Sequence, residues 1–327
     1  MLYPVLTYSR DLGDFSVDLL QLHQNGLKAL RLIYKGKSES DFLLRIDEIQ
    51  NHLKQLSINL DLFIDLPGNK PCIGNLGKGL KIQAGTVYQL VRSDAVKAIN
   101  DIPTLNFFDH KSFSGLNIGD TLSIADDELN MRIVSLNTNS IDCEAINDFH
   151  LNSNRSISSK DHPFDFEANS GKDLQLVTQL NPLQTNIKLL VSFTKTTKDL
   201  LDIKAIQPRL GVVAKIENTL DDDNLKAIIQ NSEMLMLGRG DLSTTYKPNE
   251  LYAFQERLIT LCAEQGKLLI IGTGLLTGIG EKLNPSIAEI MDYAHLRSKG
   301  IKGFLLTGAN ASKQGLATLQ FMNEFEG

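Results

Sequence analysis

Ile187 to Ser243 reads IKLLVSFTKTTKDLLDIKAIQPRLGVVAKIENTLDDDNLKAIIQNSEMLMLGRGDLS. Three short, apolar, β-branched runs stand in it, at Ile187–Phe193, Gly211–Ile216 and Met234–Leu237, separated by longer stretches of helical period. Nearly continuous apolar runs of this length suit strands buried on both faces, and the helices between them provide the crossovers that parallel strands require. The repeating unit is therefore βα.

The same rhythm continues outward in both directions. Upstream lie Pro4–Ser9, Lys28–Tyr34 and Leu60–Leu66, and downstream lie Leu268–Gly272 and Gly303–Thr307, which brings the total to eight, the number that closes a (β/α) barrel. Helical patterns such as Phe15–Asn25, with Phe15, Leu19, Leu20 and Leu22, and Tyr252–Glu264, with Phe254, Leu258, Leu261 and Cys262, each place an apolar stripe to pack against it. A last helix is expected at about Leu316–Phe325.

The rhythm breaks between Gly74 and about Asp165. Short alternating runs at Thr86–Val91, Thr121–Ala125 and Met131–Leu136 are separated there by turn signals such as Gly119-Asp120. The expected fold is α/β, a TIM (β/α)8 barrel with a small β domain inserted after strand 3. Residues 1–72 and 166–327 form the barrel and 73–165 the insertion. An insertion at that point emerges at the C-terminal face, where it is placed to act as a lid.

Composition narrows the partners. The chain has 327 residues, 42% of them hydrophobic, and a formal net charge of -6, so its overall field repels nucleic acid and any anion site must be a local cluster of Lys and Arg. Cys72, Cys143 and Cys262 form neither a disulfide framework nor a paired metal motif, which suits a reducing cytoplasm. No apolar stretch approaches the roughly 20 residues that span a bilayer, so no membrane partner is expected.

Barrel chemistry sits where strands end, so the polar residues closing each apolar run are the informative ones. Strand five ends Lys215-Ile216-Glu217-Asn218, and strand periodicity puts the Lys215 ammonium and the Glu217 carboxylate on one side. Taken alone, such a pair reads equally as a salt bridge at the barrel mouth. Strand six ends Gly238-Arg239-Gly240-Asp241, and Glu217 with Asp241 would make an oxygen site of the kind Mg²⁺ or Mn²⁺ takes. Strand seven ends Gly272-Thr273-Gly274. Strand two carries Arg31 within an apolar run, where its charge needs a partner: a bound phosphate or Asp65 both qualify. Asp126-Asp127-Glu128 reads as a solvated hairpin edge, and the series Gly272, Gly274, Gly278, Gly280 as a turn rather than a dinucleotide loop.

Taken in order, Arg31, Asp65-Leu66-Pro67-Gly68, Ser192-Phe193, Lys215-Ile216-Glu217-Asn218, Gly238-Arg239-Gly240-Asp241-Leu242 and Gly272-Thr273 resemble the pyruvate kinase family, over essentially the whole chain. The sequence stops where members of that family usually continue into a C-terminal regulatory domain. The resemblance implies phosphoryl transfer between phosphoenolpyruvate/pyruvate and ADP/ATP. It implies Glu217 and Asp241 as ligands of the divalent metal, Lys215 as the cation on the phosphoryl group in flight, and Arg31 as its binding arginine. Thr273 falls at the methylene carbon that is protonated, and Ser192, Gly240, Asp241 and Thr273 at the substrate.

Departures from the family pattern modify this picture. Where the family reads Arg-Leu-Asn-Phe-Ser, the chain has Arg31-Leu32-Ile33-Tyr34-Lys35, which loses two oxygen ligands of the usual K⁺ site. Lys70 stands where many members carry Glu and the K⁺-independent ones Lys. The reading is therefore K⁺-independent, with Lys70 and Lys35 as fixed replacements for the mobile ion. Cys72 replaces an arginine that grips nucleotide phosphate, and Thr307-Gly308-Ala309-Asn310 replaces Ser-Gly-Glu-Thr, so the acceptor is ADP/ATP or a non-standard one. Two other readings stay open: a metal-dependent pyruvate-enolate lyase or aldolase, and a degenerate, non-catalytic paralogue that binds a metabolite. A homo-oligomer is compatible with each.

Overall fold

The eight apolar runs form a closed parallel barrel in a computed structural model of the chain. The structure describes residues 1–8, 15–34, 38–92, 104–108, 115–125, 127–137, 140–159, 161–162, 164, 166–181, 186–279, 285–307 and 311–327. Lys35, Asp126, Gly280 and the Gly308-Ala309-Asn310 segment singled out above lie outside the described residues.

The barrel strands in chain order are β1 (Tyr3–Thr7), β2 (Ala29–Ile33), β3 (Asp61–Leu66), β4 (Ile187–Val191), β5 (Gly211–Ile216), β6 (Met234–Gly238), β7 (Leu269–Gly272) and β8 (Gly303–Leu306). Each pairs in parallel with the next, and β1 closes the ring through Val5 opposite Leu305 on one side and Ala29 on the other. Helices α1 (Phe15–Gln24), α2 (Glu39–Gln55), α3 (Gly171–Gln179), α4 (Thr197–Ile206), α5 (Asp222–Asn231), the short α6 (Arg239–Ser243), α7 (Pro248–Glu264), α8 (Ile287–Ser298) and α9 (Ala311–Glu326) alternate with them. Serine side chains at Ser38, Ser170 and Ser286 accept backbone N–H groups at the starts of α2, α3 and α8, satisfying donors that have no partner within the helix. In α1, Leu19 and Leu22 are buried but Leu20 is exposed, so its apolar stripe is narrower than the sequence spacing predicts.

One buried residue from every strand meets at the barrel axis: Val5, Ala29, Phe63, Leu190, Val213, Met236, Ile270 and Leu305. Large Phe63 and Met236 alternate with small Ala29 and the valines, which fills the interior without a pore. Side chains on one face of a strand recur every second residue. Two positions further along, the same inward side therefore carries Thr7, Arg31, Asp65, Ser192, Lys215, Gly238, Gly272 and Thr307. An apolar layer thus gives way, one step towards the C-terminal end, to a layer that is polar or lacks a side chain.

The chain divides into two compact units, Met1–Gly68 with Ala168–Gly240 and Glu250–Gly327, and Asn69–Glu167 with Asp241–Asn249. The second holds a seven-stranded sheet in the order Ile157–Ser159, Thr121–Ile124, Leu129–Leu136, Ser140–Ala145, Val87–Arg92, Thr104–Phe108, Cys72–Ile73, and a separate pair of Phe149–Leu151 with Leu80–Ile82. Leu90, Leu122, Met131, Ile133, Ile141 and Leu151 form part of its own apolar core. No described helix is long and apolar enough to cross a membrane.

Candidate active site

Five of the inward polar positions, Thr7, Arg31, Asp65, Ser192 and Lys215, converge. The Arg31 guanidinium donates from Nε to Asp65 Oδ2 at 2.7 Å and again to that oxygen from Nη2, while Nη1 reaches Thr7 Oγ1 at 3.2 Å. Asp65, one of the two partners open to Arg31 from its sequence, is within its reach. Three of its five N–H donors are used by these bonds, which leaves two for a ligand.

Ser192 donates to Asp65 Oδ1 at 2.9 Å, and Lys215 Nζ donates to Ser192 Oγ at 3.3 Å. The ammonium also lies 3.6 Å from Asp65 Oδ2 and 2.9 Å from Glu217 Oε1, so Lys215 near the end of β5 and Glu217 just beyond it do come together. Burial alone would push the Asp65 carboxyl up. The charges of Arg31 and Lys215, with hydrogen bonds from Arg31 and Ser192, outweigh that and hold it below its ordinary value. Arg31, Lys215, Asp65 and Glu217 therefore form a set with two positive and two negative charges, its carboxylates buried and its cations partly so.

Glu217 is 4% exposed, and its other oxygen accepts the Phe193 N–H at 3.2 Å. Phe193 has φ 54°, a left-handed conformation unusual for a bulky residue, and its carbonyl accepts from Asn218 Nδ2 at 2.9 Å. The backbone N–H and C=O of Phe193 are thus both held by residues that follow Lys215. Gly238 completes the cradle: a Cβ there would lie 2.6 Å from Glu217 Cγ and 2.8 Å from Oε1. Neither the Phe193 peptide nor the packing role of Gly238 is visible in a residue pattern, although both positions lie inside the motifs quoted above.

Thr273 follows the last residue of β7, exposed and with φ 66°. A Cβ at Gly240 would meet its Cγ2 at 3.0 Å, so these two candidate residues abut. Lys70 and Asp241, both in the second unit, form an ion pair through Nζ and Oδ1. Ile33 is 38% exposed where the resemblance leads one to expect an oxygen ligand. Cys72 is half-buried in a two-residue strand opposite Phe108.

Among the described residues no three or more His, Cys, Asp or Glu side chains gather as a metal cluster. The hard oxygen donors near the barrel mouth are carboxylates, and an ionised carboxylate carries about four lone-pair sites on its two oxygens. Glu217 places one oxygen beside the Lys215 ammonium and the other on the Phe193 N–H, so its charge is held in a fixed orientation. One or two such groups are the usual protein share of a Mg²⁺ shell, and the donor chemistry of Glu217 fits that ion.

A family model described as pyruvate kinase, barrel domain, matches residues 13–315. The chain belongs to the pyruvate kinase family. It is 24% identical over 300 residues to the pyruvate kinase of Pyrobaculum aerophilum, covering 90% of this chain and 64% of that one. It is 23% identical over 303 residues to that of Staphylococcus epidermidis, covering 90% and 51%. The chain thus spans about half to two thirds of the length of these relatives. Among solved structures, pyruvate kinase from Pyrobaculum aerophilum superimposes with a TM-score of 0.81 at 21% identity, over 99% of this chain and 72% of that one. Pyruvate kinase from Cryptosporidium parvum gives 0.82 at 18%, over 99% and 69%. At those identities the likeness establishes the fold, the barrel with its inserted β domain.

Proposed function

We propose that this pyruvate kinase family chain is a phosphotransferase working between phosphoenolpyruvate/pyruvate and ADP/ATP or another acceptor, with Mg²⁺ or Mn²⁺ and without K⁺. The observation that carries the reading is the buried set Arg31, Asp65, Ser192, Lys215 and Glu217 at the C-terminal end of the barrel. Phosphoryl transfer asks a protein for fixed cations around spreading negative charge rather than for covalent help.

In this reading Arg31 uses its remaining N–H donors on the phosphoryl oxygens, and Asp65 keeps its plane fixed. Lys215, tethered by Ser192 and Glu217, neutralises the group as it leaves the enol oxygen. Glu217 is a ligand of the divalent cation. When bound, that cation supplies Lewis-acid stabilisation of the enolate oxygen. Thr273 stands at the methylene carbon, where a proton is added as enolpyruvate becomes pyruvate. Lys70, already paired with a carboxylate, serves as a fixed positive charge in place of K⁺, and the apolar Ile33 supports the loss of the mobile ion.

The test is a coupled assay of pyruvate release from phosphoenolpyruvate over a panel of acceptors, with and without Mg²⁺ and with K⁺ omitted. Metal-dependent release with a phosphorylated acceptor, within twofold with and without K⁺, is expected. Oxaloacetate decarboxylation or aldol cleavage without phosphoryl product points instead to a lyase. Tight phosphoenolpyruvate binding without turnover on any acceptor points to a metabolite-binding paralogue.

A further inference from the structure

We propose that Arg239 is a positioning residue: a two-armed clamp that holds Thr273 in a left-handed backbone conformation and so fixes where its hydroxyl stands. The assignment of a proton-handling role to that hydroxyl rests on the function proposed above; the clamp itself does not.

Thr273 has φ 66° and the following Gly274 φ 70°, so the chain leaves β7 through two successive left-handed residues. Glycine adopts that conformation freely, whereas a β-branched residue does so against its own Cβ and persists there only when its surroundings impose it. The surroundings here are specific. Arg239, the first residue of α6, donates from both Nε, at 3.0 Å, and Nη2, at 2.8 Å, to the Thr273 carbonyl oxygen. Its third nitrogen, Nη1, grips both oxygens of Asp292 on α8, at 3.1 and 2.9 Å. The guanidinium is therefore anchored on a helix of the barrel wall at one end and fixes a strained peptide at the other. Gly240 adds a steric condition, since a Cβ there would press to 3.0 Å from Thr273 Cγ2.

The fork geometry matters. A planar guanidinium can place two parallel donors on one carbonyl and a third on a carboxylate, whereas an ammonium is a point donor that cannot span both. Arg239 touches the Thr273 backbone and none of the residues of the buried charged set described above. What it supplies is a fixed direction for the Thr273 side chain, which is exposed and thus presented outward from the end of β7.

Two measurements test this, one without reference to activity. In a melting cycle with Arg239→Gln and Thr273→Gly, the Arg239→Gln change lowers the melting temperature by about 3 °C more when residue 273 is Gly than when it is Thr. With Thr present, losing the clamp is partly offset as the backbone relaxes; with Gly there is no strain to release. Equal shifts in the two backgrounds overturn the clamp whatever the protein catalyses. If Arg239→Gln does not accumulate as folded protein, Asp292→Asn, which frees one arm, replaces it in the same cycle.

The second measurement follows exchange of the pyruvate methyl protons for deuterium by NMR, alongside kcat and KM for phosphoenolpyruvate. Arg239→Gln lowers exchange and kcat about tenfold while KM stays within twofold, and Arg239→Lys recovers only part of the loss. In a Thr273→Ala background, Arg239→Gln has less than a further twofold effect, because it acts through the missing hydroxyl. The same factor lost in both backgrounds would refute the positioning role. Absence of exchange in the unaltered protein would refute the proposed reaction and leave the clamp to be judged by the melting cycle.

Discussion

Replacing Arg31 with Met tests the buried charged set through stability alone. Methionine keeps most of the volume of the arginine stem, so the change removes charge and donors with little loss of packing. Asp65, with 3% of its side chain exposed, then keeps Ser192 at 2.9 Å and Lys215 at 3.6 Å but loses the guanidinium, and the set passes from neutral to a net single negative charge. Breaking a buried pair by removing one partner costs about 3–5 kcal/mol. Two partners remain, so the lower end applies, roughly 3 kcal/mol or about 6–12 °C in melting temperature for a unit of this size. Arg31→Met/Asp65→Asn restores neutrality, with Lys215 balanced by Glu217, and is expected to be more stable than Arg31→Met by about 1–2 kcal/mol. The pH dependence has a definite sign. In the parent protein the Asp65 carboxyl lies below its ordinary value of 3.8, so its contribution is full above that pH and is lost as pH falls further through the folded value. Without Arg31, burial regains ground and the carboxyl rises, so acid relieves the stranded charge and the gap between Arg31→Met and parent narrows from pH 7.5 towards pH 5. Denaturant unfolding of the three proteins at those two pH values measures each term. An Arg31→Met protein within about 1 kcal/mol of the parent at pH 7.5, or a double variant no better than the single, refutes the reasoning.

On the proposed function, Lys215→Met lowers phosphoryl transfer from phosphoenolpyruvate at least about 10³-fold while circular dichroism keeps the barrel signal, and unchanged turnover would remove Lys215 from the chemistry. Gly238→Ala pushes a Cβ into Glu217 and weakens Mn²⁺ binding, followed by electron paramagnetic resonance, about 10-fold or more, whereas unaltered affinity would mean that Glu217 is not a ligand. Calorimetric titration of phosphoenolpyruvate is expected to give at least about tenfold weaker binding without divalent metal, and equal affinity in its absence would count against a metal-bridged substrate. Glu289 caps α8 through the backbone N–H groups of Gly278 and Ser286; burial opposes its ionised form, but these bonds prevail and hold its carboxyl at about 2. Its stabilisation is complete above about 4.5 and lost as pH falls towards about 2, so Glu289→Ala costs about 1 kcal/mol at pH 7 in denaturant unfolding and progressively less in acid.

The barrel is legible in the sequence because strands buried on both sides must be apolar nearly throughout, so each of the eight shows as a largely apolar run, with single charged residues such as Arg31, Asp65 and Lys215 in it. Once the ends of those runs are known, period-two alternation places Arg31, Asp65, Ser192 and Lys215 on a common inner face, and the structure brings all four within hydrogen-bonding or ion-pair reach. What the pattern hides is anything set by backbone shape or by partners on a different layer. The left-handed turns at Phe193 and Thr273 leave no periodic trace, because neither residue type prefers that conformation. The Arg239–Asp292 pair joins the start of a short helix to the middle of another one 53 residues away, with nothing in either segment to mark the other. Strands of two or three residues, such as Cys72–Ile73 and Phe149–Leu151, are too short to display alternation at all.

The charge balance of the inner layer bears on why a metal belongs in the proposed reaction. Arg31 and Lys215 are already compensated by Asp65 and Glu217, so the layer offers directed N–H donors but no net positive charge. Such neutrality allows four ionised groups to sit together largely out of water, since an uncompensated pair of cations there would neutralise or unfold the barrel end. A polyanionic enol phosphate entering this layer brings negative charge that the protein alone does not offset, and the nearby Glu217 carboxylate makes the deficit larger. Glu217 would hold a divalent cation there, and the neutral layer would then carry two net positive charges for the substrate to offset. The four side chains would thus keep their own charges balanced, and net positive charge would come to the layer with the metal and be offset by the substrate anion.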